Sequence, residues 1–402
     1  MDARSRRSIA LDSRWGTRNY APLPVVLERG RGVYVWDAAG RRYYDFLSAY
    51  SALNQGHNHP RIVAAAKRQL GRLALTSRAF HSTLLGPLLA RLCRLTRMDR
   101  AILMNSGAEA VETALKAMRL WGHRVKGIPD GKQELVVAEG NFHGRTTTLV
   151  SFSTDPPSRA GFGPWTPGFR VVPYGDAKAL ERALTPRTCG FLVEPIQGEA
   201  GVRIPPAGFL KSAAAVCRRH KILFCLDEIQ TGLGRTGRFL CADHEGVRPD
   251  LVVLGKALSG GLYPVSAVCS REEVLGLFAP GTHGSTYGGN PLACAIAEAA
   301  LDVLEEERLP ERARRLGDYF LARLSSLRHP LIRETRGKGL LLAVEFRKPV
   351  AKDLCKLLMA RGVLAKDTHQ VTVRFAPPLV ITKAQLDDAF GRIEAAVAEF
   401  PD

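Results

Sequence analysis

The stretch "DLVVLGKALSGG", residues 250–261, ends an apolar run on a lysine and follows it with small residues. Lys256 thus stands where a buried strand should reach the rim of its sheet. Most lysines are solvated or sit near a helix end. A lysine at a sheet rim can instead anchor an aldehyde cofactor covalently. The small residues behind it predict a flexible turn.

Working outward, the chain alternates. "RAILMNSGAEAVETALKAMRLWG", 100–122, reads as a short strand, a turn and a helix with Val111, Leu115 and Met118 on one face. "ELVVAEG", "RVVPYGD", "GFLVEPIQG" and "ILFCLDEIQ" are further short runs, apolar throughout, with helical segments such as 176–184 and 207–219 between several of them. Doubly apolar strands alternating with helices predict an α/β fold whose large, mostly parallel sheet is covered on both faces. Near residue 291 the pattern changes to a long helical stretch over 291–324, then "RGKGLLLAVEF", a helix near 351–361 and "VTVRFAPPLV". That order predicts a smaller α+β domain. Residues 17–49 hold a Gly/Pro-punctuated hairpin and read as an arm, with a frayed terminus before it. The expected division is an N-terminal arm at 1–49, a large α/β domain at 50–290 and a small C-terminal α+β domain at 291–402.

Composition narrows the function. The 402 residues are 46% hydrophobic and 24% charged, as in ordinary folded proteins. No run approaches the roughly 18 consecutive apolar residues of a membrane span. Eight cysteines without a CxxC pair read as reduced, buried thiols. The net charge of +18 raises nucleic-acid binding. Against it, the arginines are spread along the chain, with no basic tail and no basic–aromatic platform. The charge is better read as arginine-rich surface that attracts anionic substrates.

Ligands of α/β sheets sit outside the carboxyl ends of the strands, and four such ends are chemically loaded. In "MNSGAEA", Ser106 and Gly107 fall where a strand hands over to a helix, an anion site suited to phosphate. The same residues also fit a plain N-cap with Glu109 and Glu112 in an acidic first turn. In "ILFCLDEIQTG", Asp227 follows a buried strand and needs a cationic partner, which a protonated pyridine nitrogen or a salt bridge would supply. Lys256 is the third end. "EPIQGEAG", 194–201, sets Glu194 and Glu199 around a turn. Two motifs are decoys. "GLGRTG", 232–237, has dinucleotide-fingerprint spacing, but no apolar helix follows it. "GHNHP", 56–60, has H-x-H spacing without a third ligand, so a loop is expected and no metal site. A phosphate cradle, an acid for a ring nitrogen and a strand-end lysine together specify pyridoxal 5′-phosphate.

With those residues in place, the chain resembles the class III pyridoxal-phosphate aminotransferases of fold type I. "YDFLSAYSALNQGHNHPRIV", "GNFHGRT", "VEPIQGEAGV", "DEIQTGLGRTGR", "RPDLVVLGKALSGGLYPVSAV" and "RFAPPLV" carry the resemblance, which covers nearly the whole chain. "GFGPWTPGF" and "HGSTYGGNPL" point more narrowly to ornithine-using members. The resemblance implies that Lys256 forms the Schiff base and shuttles the proton, and that Asp227 partners the pyridine nitrogen. Gln230 is expected at the ring's phenolic oxygen. Phe142 and Ile229 are expected on the two ring faces, and Ser106, Gly107 and Ala108 on the phosphate. Ser285 and Thr286 would reach the phosphate of a neighbouring subunit, which makes a homodimer with shared sites. On the substrate side, Tyr20 and Arg145 would take a distal α-carboxylate, Tyr50 would gate the reacting carbon, and Glu199 would cover Arg374 while the amine donor is bound. His143, beside Phe142, receives no role. The implied reaction moves the δ-amino group of L-ornithine to 2-oxoglutarate, in arginine catabolism and proline biosynthesis. Other ω-amine donors (N-acetylornithine, 4-aminobutyrate, a diamine) are the alternative. A cytoplasmic enzyme is expected, without the presequence of mitochondrial relatives and with no nucleic-acid or membrane partner.

Overall fold

The computed structural model describes residues 1–401, and a seven-stranded sheet organises them. In spatial order its strands are Arg100–Met104, Ser266–Ser270, Leu251–Leu254, Leu223–Asp227, Thr188–Val193, Glu134–Ala138 and Phe169–Val172. Six of them share one direction, and Ser266–Ser270 alone is antiparallel. The six are the runs read as strands from the sequence. The seventh, "SAVCS", was not read as one, because its serines break the apolar pattern. Both serines are buried: Ser266 Oγ donates to the Ser106 carbonyl at 2.7 Å and Ser270 Oγ to that of Asp250 at 2.7 Å.

The apolar runs are explained by two cores, one on each face. Leu135, Val137, Leu223, Cys225, Leu251 and Val253 pack on one side with Val111, Leu115 and Met118 of the helix Gly107–Arg124. Val136, Phe224, Leu226, Val252 and Leu254 pack on the other with the helix Phe209–Arg219. The period of two along each strand divides its side chains between the cores. Burying each such side chain stabilises the fold by about 1.5–3 kcal/mol.

From residue 291 the helices Pro291–Glu306, Leu309–Ser325, Ala351–Ala360 and Lys383–Ala398 accompany a four-stranded antiparallel sheet. Within that sheet, Thr372–Phe375 pairs with Leu341–Phe346, opposing Arg374 to Ala343. The stretch read as one helix breaks at Arg308, which adopts a positive φ of 49° ahead of Pro310. The N-terminal hairpin is a three-stranded meander, Leu27–Arg31, Tyr34–Asp37 and Arg42–Asp45. Its last strand pairs in parallel with Val363–Leu364, so the arm is stitched to the C-terminal part of the chain. Ahead of the meander the expected frayed terminus is instead the helix Ala3–Trp15, capped by Asp2, whose Oδ1 accepts from the Ser5 amide at 2.9 Å. Among the described residues no helix is long and apolar enough to cross a membrane.

Candidate active site

All six parallel strands deliver their carboxyl ends to one edge, and a cavity of about 220 Å³ opens there. Its walls include Gly107, Ala108, Phe142, Glu194, Asp227, Ile229, Gln230 and Lys256. Lys256 leaves its strand in a left-handed conformation, φ 45°. That costs a non-glycine residue about 1–3 kcal/mol and is typical of functional positions. The turn behind it is not flexible. Gly260 and Gly261 have φ of 60° and 79°, and a Cβ on either would lie 2.4 Å from Ile62 or Leu53. The positive φ favours glycine at both positions, and the turn packs closely against Ile62 and Leu53. Among the described residues the Lys256 amine has no hydrogen-bond or ion-pair partner. Burial, partly offset by Glu199 and Asp227, lowers its pKa.

Asp227 is buried and held on both oxygens: Oδ1 accepts from the Ile229 amide at 3.1 Å and Oδ2 pairs with His143 Nδ1 at 2.7 Å. His143 is the functional residue that sequence reasoning passed over. No local pattern marks it, because its partner lies 84 residues away along the chain. Its Nε2 is buried without a partner. Glu194 is also buried, and its Oε2 accepts from the Phe142 amide at 3.1 Å, fixing that loop. Burial, with Asp227 and Glu199 nearby, pushes the Glu194 carboxyl well above its ordinary value.

At the helix start both readings of "MNSGAEA" coexist. Ser106 Oγ caps the helix by accepting from the Glu109 amide at 3.2 Å, and Glu109 Oε2 takes the amides of Asn105 and Ser106 at 2.9 and 2.8 Å. Gly107 and Ala108 line the cavity with amides in the first helical turn, where no intrahelical acceptor exists. The amides of Gly107 and Ala108 thus face the cavity, while the Ser106 hydroxyl accepts within the cap and keeps its own hydrogen to donate. Ser285 and Thr286 do not line this cavity. They line a second cleft of about 440 Å³ with Arg78 and Met104, and Ser285 Oγ accepts from Asn105 Nδ2 at 2.9 Å.

The opposite wall gathers distant segments. Arg374 is buried, and its Nη1 donates to Glu199 Oε1 at 2.8 Å and to the Gly198 carbonyl at 3.1 Å. Burial opposes ionisation of Glu199, but Arg374, Lys256 and Gln230 outweigh it and hold the carboxyl below its ordinary value. Gln230 Nε2 also reaches the Tyr50 carbonyl at 3.2 Å. Its amide lies so close to Gly198 that a Cβ there would fall 1.4 Å from Gln230 Oε1. The Tyr50 ring centroid lies 5.2 Å from the Arg374 guanidinium. Tyr50 belongs to four consecutive non-glycine residues with positive φ: Ser48 at 50°, Ala49 at 47°, Tyr50 at 60° and Ser51 at 71°. Each costs about 1–2 kcal/mol. Farther out, Arg145 lies between the rings of Tyr20 and Phe142, at 5.7 and 5.6 Å from their centroids. There a larger cleft of about 950 Å³ reaches the surface past Arg145, Glu199 and Arg203.

The decoys resolve as structure. "GLGRTG" forms a turn whose Arg235 is fully buried, and "GHNHP" is a loop in which His57 pairs with Asp45 and His59 with Glu307.

Two free helix-start amides, a buried carboxylate backed by an imidazole, an aromatic and an aliphatic wall, and an unpaired desolvated amine fit a flat, phosphorylated heteroaromatic carbonyl compound. Comparison with known proteins agrees. Residues 15–397 match the family model described as aminotransferase class-III. An ornithine aminotransferase of Bordetella pertussis is 56% identical over 390 residues, covering 96% of this chain and 95% of the relative. The structure of an ornithine aminotransferase from Toxoplasma gondii superposes with a TM-score of 0.97 at 47% identity, covering 98% of this chain and 95% of the other. An acetylornithine aminotransferase from Elizabethkingia anophelis superposes at 0.90 with 48% identity, covering 98% and 99%.

Proposed function

The chain belongs to the class-III aminotransferases, and from that premise we propose that it moves the δ-amino group of L-ornithine to 2-oxoglutarate. The products are glutamate and glutamate 5-semialdehyde, which cyclises to pyrroline-5-carboxylate. The cofactor is pyridoxal 5′-phosphate, and the donor set fits it. Gly107 and Ala108 would hold the phosphate, Phe142 and Ile229 the ring faces, Asp227 the ring nitrogen, Gln230 the phenolic oxygen and Lys256 the carbonyl carbon. Bound there, it supplies a carbonyl that condenses with amines and a protonated ring that accepts the electrons of a neighbouring C–H bond.

The protein's own groups do the rest. Asp227, oriented by the 2.7 Å contact with His143, would face the ring nitrogen and favour its protonated form. Lys256, buried, with its pKa lowered by desolvation and with no hydrogen-bond partner among the described residues, would take the proton from the donor's amine-bearing carbon and return it on the cofactor side. Glu199 neutralises Arg374 while ornithine is bound, so the ornithine α-carboxylate goes to Arg145 and Tyr20, and the δ-amine is the end that reaches Lys256. 2-Oxoglutarate then displaces Glu199 with its α-carboxylate and sends its distal carboxylate to Arg145. One charge-assisted pair replaces another, a net change of about 1–3 kcal/mol.

The observation that carries this reading is the 2.8 Å contact between Glu199 and Arg374, which closes the inner arginine to a donor's carboxylate. The same pair suits any donor that holds its carboxylate away from the reacting amine, so the donor itself is the discriminating variable. A panel of ornithine, N-acetylornithine, 4-aminobutyrate and lysine with 2-oxoglutarate, with product identification, tests the reading. Ornithine should give the highest kcat/KM and yield pyrroline-5-carboxylate. A higher kcat/KM for N-acetylornithine would overturn it.

The reading includes a homodimer in the cytoplasm. The second cleft, with Ser285 and Thr286 outside their own chain's cavity, supports the dimer. So do the exposed rings of Phe80 and Tyr287, sequence neighbours of its lining residues Arg78 and Thr286. Eight free cysteines, seven of them buried, support a reducing compartment.

A further inference from the structure

Four left-handed residues in a row need a reason, because strain of this kind persists only where surrounding structure over-determines it. Here the surroundings do so from three sides. Asp45 Oδ1 accepts the amides of Leu47 and Ser48 at 2.9 and 2.8 Å, and Asp45 Oδ2 is gripped by His57 Nε2 at 2.7 Å. Within the turn, the Ala52 and Leu53 amides both donate to the Ser48 carbonyl, at 2.8 and 3.2 Å. Behind it, the chain carrying the turn is strapped to the chain carrying Arg374. The Ala376 amide donates to the Phe46 carbonyl at 2.7 Å and the Leu379 amide to the Asn54 carbonyl at 2.8 Å. Arg235 spans the same two segments, donating from Nη2 to Asn54 Oδ1 and from Nη1 to the Pro377 carbonyl, each at 2.6 Å. The hydroxyls of Ser48 and Ser51 are buried without partners, so the turn gains nothing from its own side-chain hydroxyls. What it delivers is the Tyr50 ring over Arg374 and the Tyr50 carbonyl to Gln230.

We propose that the left-handed turn Ser48–Ser51, clamped by the Asp45–His57 pair, is the positioning element that holds Tyr50 over Arg374 and thereby sets the site's preference for a donor whose amine is remote from its carboxylate. Asp45 and His57 are positioning residues and touch no substrate. A right-handed or extended path through residues 48–51 would move Tyr50 off Arg374 and open that arginine to any α-carboxylate. The inference rests on the reading of Arg374 as the inner carboxylate site and assigns the discrimination to a turn remote from the lysine.

Three variants of the cofactor-loaded enzyme test it. Ala49 is exposed, so Ala49→Gly changes the freedom of the backbone without removing packing. His57→Leu breaks the clamp, and His57→Gln keeps a donor for Asp45. The readout is the ratio of kcat/KM for the remote-amine donor to that for glutamate, with the visible absorbance of the bound cofactor as the control for loading. The ratio should fall at least about threefold in His57→Leu, through KM for the remote-amine donor, recover in His57→Gln, and stay at the wild-type value in Ala49→Gly, since glycine favours the same left-handed path. It is measured with whichever donor the wild-type enzyme prefers, so a failure of the ornithine reading shows in the panel above and leaves this test intact. Ala49→Gly should also unfold at the wild-type temperature or above, since glycine relieves a positive φ. An unchanged ratio in loaded His57→Leu, or a lowered one in loaded Ala49→Gly, would overturn the proposal. So would an Ala49→Gly midpoint lowered by about 2–4 °C, as at a regular helical position.

Discussion

Lys256, Asp227 and Glu194 leave neighbouring strands of a single sheet, whereas Tyr50, Glu199 and Arg374 meet from the N-terminal segment, the middle of the chain and the small C-terminal sheet. The lysine side of the cavity is therefore as rigid as the sheet core, with partners a few residues from strand ends. The arginine side depends on segments brought together only in the finished fold, through a strained turn, a strap of backbone hydrogen bonds and one buried arginine. The chemical step is anchored where the protein is most over-determined. The choice of substrate is anchored where segments converge, and small shifts there change which end of a molecule faces the lysine.

That contrast orders the expected effects. Lys256→Ala removes the group that moves the proton, so turnover should fall by at least about five orders of magnitude while the fold persists. Loss of the visible absorbance of the bound cofactor, together with an unchanged far-UV spectrum, checks it. Asp227→Ala leaves the ring nitrogen without its counter-charge and should lower kcat by about three orders of magnitude. Rapid-quench measurement of one half-reaction separates that loss from cofactor release. His143→Ala acts only through Asp227. It should cost about ten- to a hundredfold in kcat and shift the kcat pH profile, because the carboxylate loses the partner that orients it. A flat pH profile with normal kcat would make His143 mere packing.

Stability probes the junction between the two sides. Glu228 is fully buried, and its carboxylate receives the amides of Cys241 and Ala242 at 3.0 and 2.9 Å. Burial pushes its carboxyl from 4.5 up to about 7. Between those values the folded state holds a proton that the unfolded state has released. Stability therefore falls as pH rises through that window, by about 1–3 kcal/mol. Glu228→Gln should flatten this part of the curve in denaturant melts at pH 4.5, 6 and 7.5.

The same contrast explains what could be read from the sequence. The six parallel strands were legible because each is apolar on both faces and bounded by turn residues. Lys256 and Asp227 were legible because they end such runs. Ser266–Ser270 was not, since its serines are satisfied by the carbonyls of Ser106 and Asp250, just beyond the ends of other strands. His143, the left-handed turn at 48–51 and the buried Arg235 leave no local signal. The residues Ser-Ala-Tyr-Ser have no special liking for positive φ, and Arg235 bonds to Asn54, Leu340 and Pro377, each more than 100 residues away along the chain. Tyr20, Arg145, Glu199 and Arg374 were assigned by family resemblance and not by pattern. The structure places Glu199 against Arg374, and Tyr20 against Arg145. The apolar–polar pattern along the chain records burial, and these contacts are made by polar groups far apart in sequence.

The central claim is that Glu199 hides Arg374 from the donor and yields it to 2-oxoglutarate. Stopped-flow measurement of the ornithine and glutamate half-reactions, in wild type and in Glu199→Ala, tests it most directly. With Arg374 left open, the glutamate half-reaction should accelerate and the ornithine-to-glutamate rate ratio should drop by about tenfold, the equivalent of one charge-assisted pair. If that ratio is the same in both proteins, the Glu199–Arg374 pair does not govern which amine reacts, and selection of the δ-amine must come from Tyr50, Tyr20 and Arg145.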